Sequence, residues 1–118
     1  MEYLALIHAD QSVWETMTDV GRDAAYEQYG EFADAARGAG VLVGGEELAS
    51  TASATTVRVR DEQRVVTDGP YAEVKEALGG FFILDCASFD DALDWAARIP
   101  AVHHGAVEVR PVHVDPEA

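Results

Sequence analysis

Apolar residues in this chain alternate, then recur every third or fourth position, then alternate again, and each change of period marks an element. Residues 3–8 predict a strand in which both alternating sets, Tyr3/Ala5/Ile7 and Leu4/Leu6/His8, are largely apolar. Such a strand wants cover on two faces. Residues 10–17 break the period and predict a short turn of helix. From 19 to 39 the pattern is helical: Ala25, Tyr29, Phe32 and Ala36 form one stripe, with Asp23, Glu27, Glu31 and Asp34 elsewhere. Gly38 and Gly40 stop that helix.

Residues 41–48 return to strand, and Gly44-Gly45 within them predict a bulge or a close backbone approach. Residues 49–54 are an uncharged link of small side chains. In 56–60, Val57/Val59 alternate with Arg58/Arg60, and 64–67 answer them across Asp61-Glu62-Gln63, giving a hairpin with a polar outer face. Asp68-Gly69-Pro70 then bends the chain: aspartate bonds the backbone ahead of it, glycine accepts positive φ, and proline fixes φ. Residues 72–78 read as a turn of helix. Residues 81–87, opened by Gly79-Gly80, are a second strand apolar on both faces. Ser88 is an N-cap with Asp91 three residues on, and Phe89, Ala92, Leu93, Ala96 and Ile99 supply the buried stripe of another helix, ended by Pro100. Residues 106–112 are the last strand, where Pro111 argues for an edge or an exit.

Strand, helix, strand, hairpin, strand, helix, strand is an α+β order: a ferredoxin-like split βαβ arrangement elaborated with a β-hairpin. No linker or repeat divides it, so residues 1–118 read as a single domain. Two main helices cover one sheet face. Two strands apolar on both faces leave the other face in need of cover, and a second copy of the chain is the simplest partner.

Composition narrows the function. A chain of 118 residues buries roughly 60 to 70% of its unfolded surface, enough for one modest core. No window approaches the roughly 18 apolar residues of a membrane span, and Met1-Glu2-Tyr3 lacks a basic leader, so a cytoplasmic protein without membrane contact is expected. Twenty-two acidic against eight basic residues give a formal charge of −14, which repels nucleic-acid phosphates and anionic membranes. The plainest reading of that excess is solubility or adaptation to salt. Cys86 is the single cysteine, which excludes an internal disulfide and a thiolate metal cage; its setting is that of an inert, buried strand position.

The histidines are His8, His103, His104 and His113, with no HxxxH or HExxH spacing, so no metal site is expected. His103, between the last helix and the last strand, reads as a local capping or hydrogen-bonding residue. Asp68, Glu73, Lys75, Glu108 and Arg110 form the best constellation for a polar site, since loops on a rigid scaffold hold function. Glu108 and Arg110 lie two apart on a strand and share a face with Ala106 and Val112. They are either a structural ion-pair group with Asp68 or Lys75, or the floor of a polar pocket. Asp68 serves equally well as a plain turn residue. No phosphate fingerprint, nucleophile elbow or cofactor motif is present, and no cofactor is expected.

Asp68-Gly69-Pro70-Tyr71 with Glu73, Lys75, Leu78-Gly79-Gly80 and Val107-Glu108-Val109-Arg110-Pro111 resembles the DGPF-domain branch of the YCII-related family. Tyr3-Leu4-Ala5-Leu6-Ile7, Gly40-Val41-Leu42 and Trp95-Ala96-Ala97-Arg98 with Pro100 extend the resemblance over nearly the whole chain. Tyr71 stands where that family usually has phenylalanine, adding a hydroxyl and keeping the ring. The resemblance implies a dimeric α+β barrel type of fold, a homodimer and no settled reaction. The leading expectation is a small homodimer binding a small organic ligand near the Asp68 loop, through Asp68, Tyr71, Glu73, Lys75, Glu108 and Arg110. One alternative is a non-catalytic accessory protein associated with extracytoplasmic-function sigma factor systems. Another is a cofactor-independent acid/base enzyme acting on a lactone-like or aromatic substrate, with Tyr29, Asp68 and His103 as catalytic candidates. Tyr29 falls at about the place where the wider family has a histidine on its first helix. A phenol with a pKa of about 10 is a poor general base, and a core tyrosine is the competing reading.

Overall fold

A computed structural model describes residues 1–115. Strand β1 (Glu2–Asp10) leads into a one-turn helix α1 (Gln11–Thr16) and a long helix α2 (Asp19–Gly38). Strand β2 (Leu42–Glu47) is followed by a short 3-10 turn (Thr51–Ser53) and the hairpin strands β3 (Thr55–Arg60) and β4 (Gln63–Asp68). Strand β5 (Glu76–Asp85), helix α3 (Phe89–Ala96), a second 3-10 turn (Pro100–His103) and strand β6 (Ala106–Pro111) complete the order. The main sheet has strand order β2-β5-β1-β6, antiparallel throughout, which is the ferredoxin-like order; β3 and β4 form a separate two-stranded sheet. The main sheet is open.

Local chemistry sets the helix ends. The Thr18 hydroxyl accepts from the Gly21 N–H at 3.1 Å, and the Ser88 hydroxyl accepts from the Asp91 N–H at 3.1 Å. At the end of α2, Gly40 has φ +72°, its N–H donates to the Arg37 carbonyl, and the Val41 N–H donates to that of Ala36. This pair of bonds is a Schellman stop, and the positive φ is why glycine stands there.

The core lies between the helices and one sheet face. Tyr3, Ala5 and Ile7 of β1 and Leu84 of β5 point into it and meet Phe32, Ala36, Ala92 and Ile99. Leu4, Leu6, Phe81 and Ile83 alternate with these onto the other face, where no helix covers them and they stay partly exposed. Both bulges of the main sheet involve glycine: the register slips between Leu42 and Gly44, and Gly79 is the extra residue where β1 slips between Ile7 and His8.

Three expectations change. Residues 72–78 hold no helix; β5 begins at Glu76, because Glu76, Ala77 and Leu78 pair with Asp10, Ala9 and His8, so Gly79-Gly80 lie inside the strand. Sheet pairing decides that segment over local propensity. Phe89 and Leu93 are exposed, since Ala92 and Ala96 turn to the core on this two-turn helix; the Phe89 ring leans on Tyr3 at 5.8 Å. The hairpin has no apolar surface to lie on, and Val57, Val59, Val65 and Val66 are all exposed.

Candidate functional site

At the end of the sheet where β1, β2 and β5 meet α1 and the start of α2, side chains leave an open cavity of about 600 Å³. Glycine creates much of this space. Gly45 and Gly80 lie on the helix-facing side by register, beside Phe82 and Ile7, where other residues would project side chains. A Cβ on Gly45 would stand 2.5 Å from the Phe81 carbonyl oxygen, and one on Gly80 would stand 2.8 Å from that of Glu46. Close backbone approach excludes larger residues at both positions.

Ile7, Phe82 and Tyr29 line the cavity from the sheet and from α2, with the Tyr29 and Phe82 rings stacked at 6.5 Å. Val13, Trp14 and Met17 contribute apolar wall from α1 and its end. This short helix is held at both ends. The Asp10 carboxylate accepts from the Ser12 N–H at 3.0 Å and the Ser12 hydroxyl at 2.7 Å. The Arg22 guanidinium donates to the Trp14 carbonyl at 3.0 and 3.1 Å and to that of Glu15 at 2.9 Å. Gln11 ties down the connection after β2, its side-chain oxygen accepting from the Thr51 N–H and hydroxyl at 3.1 and 2.9 Å.

The polar groups at the cavity are mainly acids and phenols: Asp10, Glu15, Glu46, Glu47, Tyr26 and Tyr29, with His104 beside them. No lysine or arginine lines it among the described residues. The Tyr26 hydroxyl donates to Glu47 Oε1 at 3.1 Å, and its ring meets Trp14 edge-on at 5.2 Å. Burial and then the Glu47 charge push the Tyr29 phenol above its ordinary pKa, against a smaller opposing hydrogen bond with the Ala101 backbone. Desolvation and the Glu47 hydrogen bond raise Tyr26 likewise. Both phenols are protonated donors at neutral pH. The Ser12 hydrogen bonds hold the Asp10 carboxyl below the usual carboxylate range, with Lys75 adding a smaller push in the same direction.

The YCII-related domain family matches residues 1–114, almost the full length. This chain belongs to the YCII-related family. It is also 39% identical, over 121 residues, to an uncharacterized protein of Rhizobium meliloti (strain 1021), covering 95% of this chain and 92% of the relative.

In this YCII-related protein the residues singled out in the sequence lie in different places. Tyr29 lines the cavity, and His104 lines it in place of the neighbouring His103, which is exposed at the end of its 3-10 turn. Asp68 ends β4 opposite Thr55 and is exposed. Tyr71 is 82% exposed, its ring 5.6 Å from the Arg58 guanidinium. Glu73 and Lys75 are exposed on the loop before β5, with Lys75 near the cavity rim at Asp10. Glu108 and Arg110 share the opposite sheet face, across from Leu6 and Leu4. Glu108 pairs with His8 Nε2 at 3.2 Å. Arg110 is exposed and makes no ion pair with a described residue, so neither an Arg110–Asp68 nor a Glu108–Lys75 pair forms among the described residues.

Trp14, Tyr26, Glu47 and His104 escaped the sequence reading because each comes from a different segment. Besides Tyr29, the sequence signals that touch the site are Gly79-Gly80 and Gly44-Gly45, the latter immediately before Glu46-Glu47: a close backbone approach beside two carboxylates.

Proposed function

We propose that this chain is a homodimeric ligand-binding protein whose cavity takes a small organic molecule with an apolar body and a neutral or positively charged polar end. The observation behind this reading is the lining itself: an apolar floor of Ile7, Phe82 and Tyr29 beside a rim of Asp10, Glu15 and Glu47; no lysine or arginine lines it among the described residues, and Lys75, near the rim at Asp10, is outnumbered there by carboxylates. A cavity of about 600 Å³ suits a small ligand, and such sites are mostly apolar with a few placed polar groups. Carboxylates attract a cation, and an aromatic face adds about 0.5 to 2 kcal/mol for one. An anion would meet like charge. Binding is favoured over acid–base catalysis because the Tyr29 phenol, its pKa raised by burial, stays protonated at neutral pH and has no basic form there to take a proton.

The homodimer reading rests on the uncovered sheet face, where Leu4, Leu6, Phe81 and Ile83 form an apolar surface without a helix. Two such faces pack at about 10 Å in sheet-on-sheet assemblies.

Calorimetric titration with a matched pair, benzyltrimethylammonium and phenylacetate, tests the cavity. The cation should bind, the anion should bind at least about tenfold more weakly, a difference of roughly 1.4 kcal/mol, and Glu47→Gln should narrow the gap. Equal binding of the two, or no binding of the cation at millimolar concentration, would refute the reading.

A further inference from the structure

The β3–β4 hairpin is built for a surface that its own chain does not supply. Among the described residues it pairs only with itself, and a lone two-stranded hairpin is marginal in water. The register sets Val57 opposite Val66 and Val59 opposite Arg64, so three valines share one face; they are 59%, 50% and 63% exposed for Val57, Val66 and Val59. At the tip, Asp61 and Glu62 have φ +50° and +64°, the two-residue hairpin turn that glycine and asparagine favour, formed here without either. Its local contacts lie at the base and on the other face, where Gly69 bonds Ala54 and Thr56 and Arg58 lies over the Tyr71 ring, and they leave the valine face uncovered. The radius of gyration is 16.4 Å, where a compact domain of this length has about 13.5 Å. The molecule is 49 by 48 Å across but only 17 Å thick.

Charge says what the arm would meet. Arg58, Arg60 and Arg64 are three of the eight basic residues, balanced within residues 55–68 by Asp61, Glu62 and Asp68. The remainder of the chain therefore holds the whole charge of −14. Two such bodies repel each other at close range, whereas the arm carries no net charge and holds Arg64 on its valine face, opposite Val59, so it meets the partner's acidic body without adding to that repulsion and brings it one guanidinium.

We propose that the hairpin is an intersubunit arm whose Val57/Val59/Val66 face docks on the body of a second copy of this chain, beside the open sheet face. This rests on the homodimer reading and adds where the contact lies. A two-fold arrangement exchanges two arms at once, which closes the assembly and leaves neither valine face free.

The test compares the wild type with the Val57→Glu/Val59→Glu double variant by sedimentation equilibrium over a dilution series, with far-UV circular dichroism as the check on folding. Both valines are exposed in the single chain, so the variant should fold. Its dimer dissociation constant should rise by about 100-fold or more, as expected when an apolar contact centre gains two carboxylates facing an acidic partner. Hydrogen exchange reads the arm directly: the amides of residues 57–66 should be protected in concentrated wild type and lose protection on dilution. A variant dimer with an unchanged dissociation constant, or arm amides unprotected in the wild-type dimer, would overturn the arm and leave the dimer standing. A wild type that stays monomeric at every concentration would overturn both.

Discussion

Two glycines should respond in opposite directions to the same added methyl group. Gly30 sits exposed within α2, with nothing within 4 Å of a Cβ built on it, so Gly30→Ala changes little except helix propensity. Removing the conformational freedom of glycine from a helix interior stabilises by about 0.5 to 1 kcal/mol. Gly69 also has open space around a built Cβ, so a clash with neighbours contributes nothing there either. Its φ is +108°, and the backbone is held on both sides: the Gly69 N–H donates to the Ala54 carbonyl at 2.8 Å, and its carbonyl accepts from the Thr56 hydroxyl at 2.8 Å. Relaxing φ breaks those two bonds, and keeping it forces an L residue into a region it rarely adopts, so Gly69→Ala should cost about 1 to 3 kcal/mol. Urea denaturation at one fixed protein concentration measures both variants, the concentration being held because association shifts apparent stability. In thermal unfolding the effect at Gly69 corresponds to a fall of roughly 4 °C per kcal/mol. A Gly69→Ala variant within about 0.5 kcal/mol of wild type would show that the Asp68-Gly69-Pro70 bend does not depend on a positive φ.

The phenol at Tyr29 should shape the alkaline limb of stability. Its folded pKa is raised, so the contribution is complete below the unfolded value of about 10 and is lost as pH rises through the folded value; Tyr29→Phe should flatten the fall in melting temperature above about pH 10. An unchanged alkaline limb would mean that the hydroxyl is not desolvated. Arg110 is exposed and makes no ion pair with a described residue, so Arg110→Met should leave the denaturation midpoint of the chain within about 0.5 kcal/mol of wild type. A loss of about 3 kcal/mol or more would reveal a carboxylate partner beyond the described residues, on this chain or on another subunit.

The elements whose cause is local were legible in the residues alone. The glycine stop of α2, the Ser88 cap, the bend at Gly69 and the close approach at Gly45 each depend on a few neighbouring atoms, and all four stand as their residue types demand. The element order led to the ferredoxin-like sheet for a related reason: the period of apolar residues records which faces are buried. Residues 76–78 were beyond that logic. Their strand exists because Asp10, Ala9 and His8 lie alongside, and no spacing within the segment announces a partner nearly seventy residues away. Arg110 shows the limit again, since its alternation with apolar neighbours placed it on a strand face but did not tell which of the two, the helix-covered or the open one. The cavity depends most fully on tertiary structure. Trp14, Tyr26, Glu47 and His104 carry no common periodicity; they meet because α1 is held by Asp10 and Arg22 over a sheet corner that Gly45 and Gly80 leave empty. Periodicity reports burial along one segment, whereas a cavity is the space that several segments fail to fill, and only their packing together decides its shape.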